Sequence, residues 1–389
     1  MSDNKYNKFY YSILCAVIGD IIGYENGGME FNSGYDLIIK SQKDMITYSG
    51  ISVYHVVNFV AVGGLSKYDP TDNIVSDDSI LLLATLDALI ESYNKENDEI
   101  LNTIKNYLLK YFVEDEIKDD RNYGYRTVKG LERINDGLDW NKWAYSDHAG
   151  GSGASMRNMA IGLIYHGKKN REKLIYLGLN SGRITHNNAI GYLGGLASAL
   201  FAAFAIEEID PNKWMFELLT ILHSEYFKKL IAEITTVFPG DKEKHETDIK
   251  LCISWLKAYV GDRFDNGKFN DVTNDEDHIA INMRFFDLRS QYYYENFNKK
   301  EFKKEMNPGA NGIDSVIIAY DSFMDSHSFQ SLVMYSMLHV GDSDTTGCIA
   351  GSLYGAYHGK KTDIQFDYTK IDKFEMTTKL IEKAKFIFS

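Results

Sequence analysis

The chain has 389 residues, 44% of them hydrophobic and 25% charged, which is enough to fold around a sizeable core. Its net charge of −13 argues against duplex nucleic acid as a partner, because phosphate backbones need a basic surface, but it leaves room for small phosphorylated ligands. Three widely spaced cysteines, Cys15, Cys252 and Cys348, suit neither a disulfide framework nor a zinc cluster and point to a reducing, cytoplasmic setting.

Few prolines and frequent apolar spacings of three and four residues predict a mostly helical protein. The first helix is expected over 8–24. Lys5 and Lys8 precede the apolar run Phe9 to Ile18, as in a signal peptide, but Asp20 interrupts the run and no small-residue cleavage site follows. No other stretch reads as long enough to span a membrane, so no membrane partner is expected. Residues 51–62 (ISVYHVVNFVAV) are β-branched enough to suggest a strand.

A buried helix is expected over 78–93, at IVSDDSILLLATLDAL (74–89). Ser76 occupies the natural N-cap position, and Asp77 and Asp78 follow at once. Acids in a first helical turn suit the helix dipole. They also suit a hard cation, and two adjacent acids at a buried helix start repel each other unless a cation lies between them. After a helix over 97–112 comes SDHAGGSGASMRNMAIG (146–162), with a helix expected over 153–166. Gly150, Gly151 and Gly153 would let backbone N–H groups approach an anion; a plain flexible loop is the other reading. It is neither a P-loop nor a dinucleotide fingerprint.

A helix over 170–181 leads to SGRITHNNAIGYLGG (181–195), in which His186 stands between two helices. It could be a cap, a packed polar residue or a catalyst, and Arg183 a surface or salt-bridging group. Further helices are expected over 188–206, 213–236 and 245–259. A polar loop is expected over 260–280, then helices over 313–325, 327–339, 345–357 and 373–387. The last motif, HVGDSDTTGCIAG (339–351), sets Asp342 and Asp344 two residues apart before a small-residue helix, again open to a cap or a metal reading. Thr345 and Ser76 add neutral oxygens beside each acid pair. With no repeat and no linker, residues 1–389 are expected to form one compact all-α domain, an orthogonal multi-helix bundle. A monomer is expected.

These stretches, in this order and with GDIIGYENGGMEF (19–31), resemble the ADP-ribosylglycohydrolase family, and within it the ADP-ribosylarginine hydrolases. The resemblance runs from about residue 8 to 360. It implies an all-α bundle with a central cleft that holds two Mg²⁺ ions. Ser76, Asp77, Asp78 and Asp344 would hold one ion and Asp342, Asp344 and Thr345 the other, with Glu30 beside them. Gly150, Gly151, Ser152, Gly153 and Ala154 would cradle a pyrophosphate, and His186 would contact the phosphate or ribose region. Gly312 and Asp314 match a family segment on the substrate side. Asp77 or Asp78 would serve as general base, with Glu30 as the other candidate or as a gate to the cleft. The implied reaction is Mg²⁺-dependent removal of ADP-ribose from arginine side chains of modified proteins. Hydrolysis of a serine-linked or O-acetyl-ADP-ribose substrate, or ADP-ribose binding with little turnover, are the alternatives. The sequence departs from the family in the short run His186-Asn187-Asn188, in the short segment 307–312 and in Ser79; none removes an implied metal ligand.

Overall fold

The computed structural model describes residues 2–31, 48–270, 308–339 and 341–389. Over these the protein is all-α. In chain order the helices are α1 (Ser2–Tyr24), α2 (Tyr48–Ala61), α3 (Asp77–Glu91), α4 (Asn97–Glu114), α5 (Tyr125–Asn135), α6 (Met159–Ile164), α7 (Arg171–Arg183), α8 (Ala189–Ile206), α9 (Trp214–His223), α10 (Glu225–Val237), α11 (Lys242–Arg263), α12 (Gly312–Asp325), α13 (Phe329–Ser336), α14 (Ser343–His358) and α15 (Phe374–Lys383). One short antiparallel hairpin, Phe264–Asp265 with Lys268–Phe269, follows α11.

α1 and α14 lie backbone against backbone. Gly19 on α1 meets Gly347 on α14, Gly23 meets Ser343, and Gly351 and Gly355 on α14 meet Cys15 and Tyr11 on α1; the four-residue spacing keeps each set on one helix face. A Cβ at Gly23 would stand 2.2 Å from the Ser343 carbonyl oxygen, and one at Gly351 2.1 Å from that of Cys15. The Ser343 hydroxyl donates to the Gly23 carbonyl at 2.7 Å, and Ser12 donates to the Ser352 carbonyl at 2.9 Å. This seam sets the start of α14, with Asp342 and Asp344, beside the end of α1 and Glu30.

α8 crosses the core, and all its residues from Ala189 to Ile206 are buried. Its 18 residues have a mean hydropathy of 1.9, so it is long and apolar enough to cross a membrane. The expectation that no such stretch exists is therefore corrected. Here it packs on α6, α7 and α12 as a core helix.

Several expected elements differ. Residues 51–62 are not a strand but part of α2. His55, Val56 and Phe59 face the core while Val57 and Val60 are exposed, a helical and not an alternating pattern. The helix expected over 213–236 breaks at Ser224, whose extended backbone ends α9 and whose hydroxyl accepts from Phe227 N–H to cap α10. Only Met159–Ile164 of the helix expected over 153–166 is α-helical, because the chain before it makes a tight turn at Ser152–Ala154. α5 was not expected. Its buried residues Thr127, Gly130, Leu131 and Ile134 follow helical spacing but are set among charged neighbours. In the 260–280 segment, 260–263 close α11 and 264–269 form the hairpin, while 271–280 lie outside the described residues, as does Asn307.

Candidate active site

The N-terminus of α3 shows how the acid pairs are freed for chemistry. The Ser76 hydroxyl accepts from Asp78 N–H at 3.1 Å and so caps the helix. The buried Asp20 carboxylate, reaching from α1, accepts from the backbone N–H of Ser76 at 3.1 Å and of Ser79 at 2.9 Å. With these orphan donors satisfied, Asp77 and Asp78 are not needed as caps. Asp78 Oδ1 is buried with no hydrogen-bond partner. At α14, Asp342 occupies the N-cap position but its side chain makes no capping bond. It accepts instead from the Ser152 hydroxyl at 3.0 Å, while Asp344 Oδ1 accepts from Thr345 N–H at 2.9 Å.

These acids converge on a cavity of about 640 Å³. Glu30, Asp77, Asp78, Asp342 and Thr345 line it on one side, and Gly151, Ser152, Gly153 and His186 on another. Single carboxylate oxygens of Glu30, Asp342 and Asp344 all lie within 4.8 Å of one another. This group unites Glu30 with the α14 pair and does not include Asp77 or Asp78, which face the same cavity. Ser76 stays beneath it as a cap.

Burial and mutual repulsion govern the protonation of this cluster. Desolvation, then the Asp344 charge, pushes Glu30 up to about 9, although Asn122 donates to its Oε2 at 2.7 Å. Asp342 is pushed up to about 7 by burial and by Glu30. Asp77, Asp78 and Asp344 are raised well above the usual carboxylate range by burial and by neighbouring acids. So many carboxylates, one with an orphaned oxygen, fit a bound divalent cation and are hard to explain without one.

The wall beside Asp342 is a glycine turn packed on an imidazole. A Cβ at Gly153 would meet both His186 Cε1 and Thr127 Oγ1 at 2.6 Å, so no larger residue fits there. Ser152 N–H donates to the Ala310 carbonyl at 3.2 Å and Gly312 N–H to the Gly150 carbonyl at 3.0 Å, tying the turn to the chain before α12. Gly150, Ala154, Gly312 and Asp314 stand behind this wall and do not line the cavity. Ala154 is buried against Gly195, so only its backbone could approach a ligand. Gly312 touches the Ile190 and Gly191 backbone, and Asp314 exchanges capping bonds with Asn311 at 2.9 and 3.1 Å. Arg183 is neither on the surface nor, among the described residues, salt-bridged: it is buried and donates to Asn180 and Asn187.

A third wall escaped the sequence reading. Asn122 to Val128, at the start of α5, line the cavity together with Phe31, His148 and Met156. Tyr125 is 64% exposed at its mouth, beside Arg126. The only signal for this wall was the weak helical spacing of α5.

The fold and site define an all-α scaffold with a polyacidic cleft bordered by a glycine turn. More narrowly, the chain belongs to the ADP-ribosylglycohydrolase family, whose model matches residues 1–371. It is 33% identical over 381 residues to "Putative ADP-ribosyl glycohydrolase L444" of Acanthamoeba polyphaga mimivirus, covering 96% of this chain and 69% of that one. It is 29% identical over 375 residues to ADP-ribosylhydrolase ARH1 of Dictyostelium discoideum, covering 93% and 89%. With ADP-ribosylhydrolase ARH3 of Xenopus tropicalis the identity is 22% over 306 residues, covering 74% of each. A solved structure titled ADP-ribosylglycohydrolase-related protein complex shares the fold, with a TM-score of 0.55, 15% identity and full coverage of both chains. The protein is thus a glycohydrolase of ADP-ribose linkages, from a metal-dependent family, with an acidic cluster able to hold a metal ion.

Proposed function

We infer that the protein removes ADP-ribose from modified arginine side chains with the help of Mg²⁺. The observation that carries this reading is that Glu30, Asp77, Asp78 and Asp342 line one cavity with the Gly151–Gly153 turn and His186, and that Asp344 groups with Glu30 and Asp342. The turn offers backbone N–H groups to a pyrophosphate, as its glycines allow. The arginine linkage itself is read from the motifs that resemble the arginine-specific branch. The three cysteines are free and buried, in keeping with a cytoplasmic protein.

Asp77, Asp78, Asp342, Asp344 and Thr345 are the proposed ligands for two ions, with Glu30 beside them and Ser76 beneath as the cap of α3. A divalent cation bound there supplies charge neutralisation and Lewis acidity toward ribose oxygens and water. The protein's own groups do the rest. The Gly151–Gly153 turn and His186 anchor the ADP portion and hold the distal ribose against the acids. Asp77 or Asp78 accepts a proton from the attacking water, with Glu30 as the other candidate. The C1″–N bond breaks as water oxygen bonds to C1″, and the guanidine leaves with the electron pair. Release of free ADP-ribose from an arginine-modified protein, measured with Mg²⁺ and with chelator, tests the reading. No Mg²⁺-dependent release would refute it.

A further inference from the structure

His186 meets the cavity with one edge and the protein with the other. Its Nδ1 lies 2.8 Å from the Thr185 hydroxyl, and that same oxygen accepts from Nη2 of Arg157 at 3.1 Å. A guanidinium carries only donors. Thr185 Oγ1 therefore spends a lone pair on Arg157 and still has one hydrogen to give. Among the described residues its only other hydrogen-bond partner is His186 Nδ1. The opposite order, Nδ1–H into the second lone pair of Thr185, would leave the hydroxyl hydrogen without a partner among the described residues; a bare Nδ1 gives it one and leaves the ring's proton on Nε2. Nε2 is on the cavity side, where a Cβ at Gly151 would lie 3.4 Å away.

Arg157 is held as firmly as the ring. It is wholly buried, and its Nη1 donates to Ser181 Oγ at 2.8 Å and Asn158 Oδ1 at 3.0 Å. Its Nη2 also donates to the Ser181 carbonyl at 2.8 Å. Among the described residues no carboxylate pairs with it. A buried guanidinium without a counter-charge is costly, so its place behind the imidazole calls for an explanation.

We propose that Arg157 and Thr185 are positioning residues that hold His186 as its Nε2–H tautomer, a fixed hydrogen-bond donor to an oxygen of the ligand and not a proton acceptor. The chain runs in one direction: guanidinium to hydroxyl, hydroxyl to Nδ1, Nε2–H to ligand. A second proton on the ring would set N–H against O–H at Nδ1 and add charge beside Arg157. In agreement, burial and the nearby Arg157 and Arg126 push His186 down to about 3. The preference for an anionic or hydroxyl oxygen rests on the proposed function; the tautomer does not.

The test is a two-bond ¹H–¹⁵N correlation spectrum of the full chain labelled with ¹⁵N-histidine, with His186 assigned by its loss in H186Q. The expected pattern is a bare Nδ1 and a protonated Nε2, constant between about pH 5.5 and 8. Thr185→Val keeps the side-chain shape but removes the hydroxyl. It should move the Nδ1 resonance and weaken ADP-ribose binding about tenfold, the worth of one well-placed hydrogen bond, and it should also lower the melting temperature because Arg157 Nη2 loses an acceptor. Thr185→Ser should restore the resonance and the binding. A protonated Nδ1 in the wild type, or an Nδ1 resonance that ignores Thr185→Val, overturns the tautomer. Unchanged ADP-ribose binding in Thr185→Val overturns the positioning role. A wild type that binds no ADP-ribose fails the proposed function, and the spectrum still decides the tautomer.

Discussion

Metal affinity in this site should rise steeply with pH. Asp342 is pushed up to about 7 and Glu30 to about 9 in the metal-free protein. A carboxylate must lose its proton to ligate a cation. A group with a pKa of about 7 is roughly one-tenth ionised at pH 6 and roughly nine-tenths at pH 8, so Asp342 alone raises the apparent affinity roughly tenfold. If Glu30 also ligates, it adds up to roughly a further hundredfold over the same interval. Stability moves the opposite way without metal. A raised carboxylate pKa favours the folded, protonated form, so its contribution is complete below the ordinary values of 3.8 and 4.5. It is lost as pH rises through about 7 for Asp342 and about 9 for Glu30. Isothermal titration with Mg²⁺ or Mn²⁺ at pH 6, 7 and 8, in buffers of different ionisation heat, measures both affinity and proton release. Equal affinity at pH 6 and 8 with no proton released would refute the convergence of these acids on a cation.

Other outcomes follow from the same geometry. Asp78→Asn should cut ADP-ribose release by at least about a hundredfold, yet raise the melting temperature of the metal-free protein at pH 8, because a buried carboxyl whose ionisation burial and neighbouring acids oppose is gone. Gly153→Ala should weaken ADP-ribose binding by about tenfold or more in a direct titration, since its methyl would push His186 and Thr127 apart. Gly351→Ala, at the α1–α14 seam, should cost about 2–3 kcal/mol in urea unfolding, because the neighbour it meets is backbone and cannot rotate away. Removing the metal with a chelator should lower the melting temperature at pH 8, as the ion binds only the folded state.

The fold was legible where apolar spacing was dense. The burial of α3 and α8 could be read from their unbroken small and apolar faces. α2 was misread because Val56, Val57 and Val60 favour strands locally, and tertiary contacts along one helical face override that preference. α5 was missed because only four of its residues are buried. The acid pairs were legible as pairs, but choosing between cap and ligand required seeing that Ser76 and Asp20 already cap α3. Glu30 was legible through the 19–31 motif, but Asn122 carries no such signal: 92 residues apart, the two meet only because α1 and the turn before α5 open onto one cavity. Asp314 and Gly312 show the reverse, motif residues that the fold uses for capping and close packing behind the site.

The most direct test of the central claim is ADP-ribose release from arginine-linked and serine-linked substrates, side by side, with Mg²⁺ and with chelator. Release from the arginine substrate that depends on Mg²⁺ and is lost in Asp78→Asn is the predicted result. Release from the serine substrate alone, or release that persists in chelator, would contradict it.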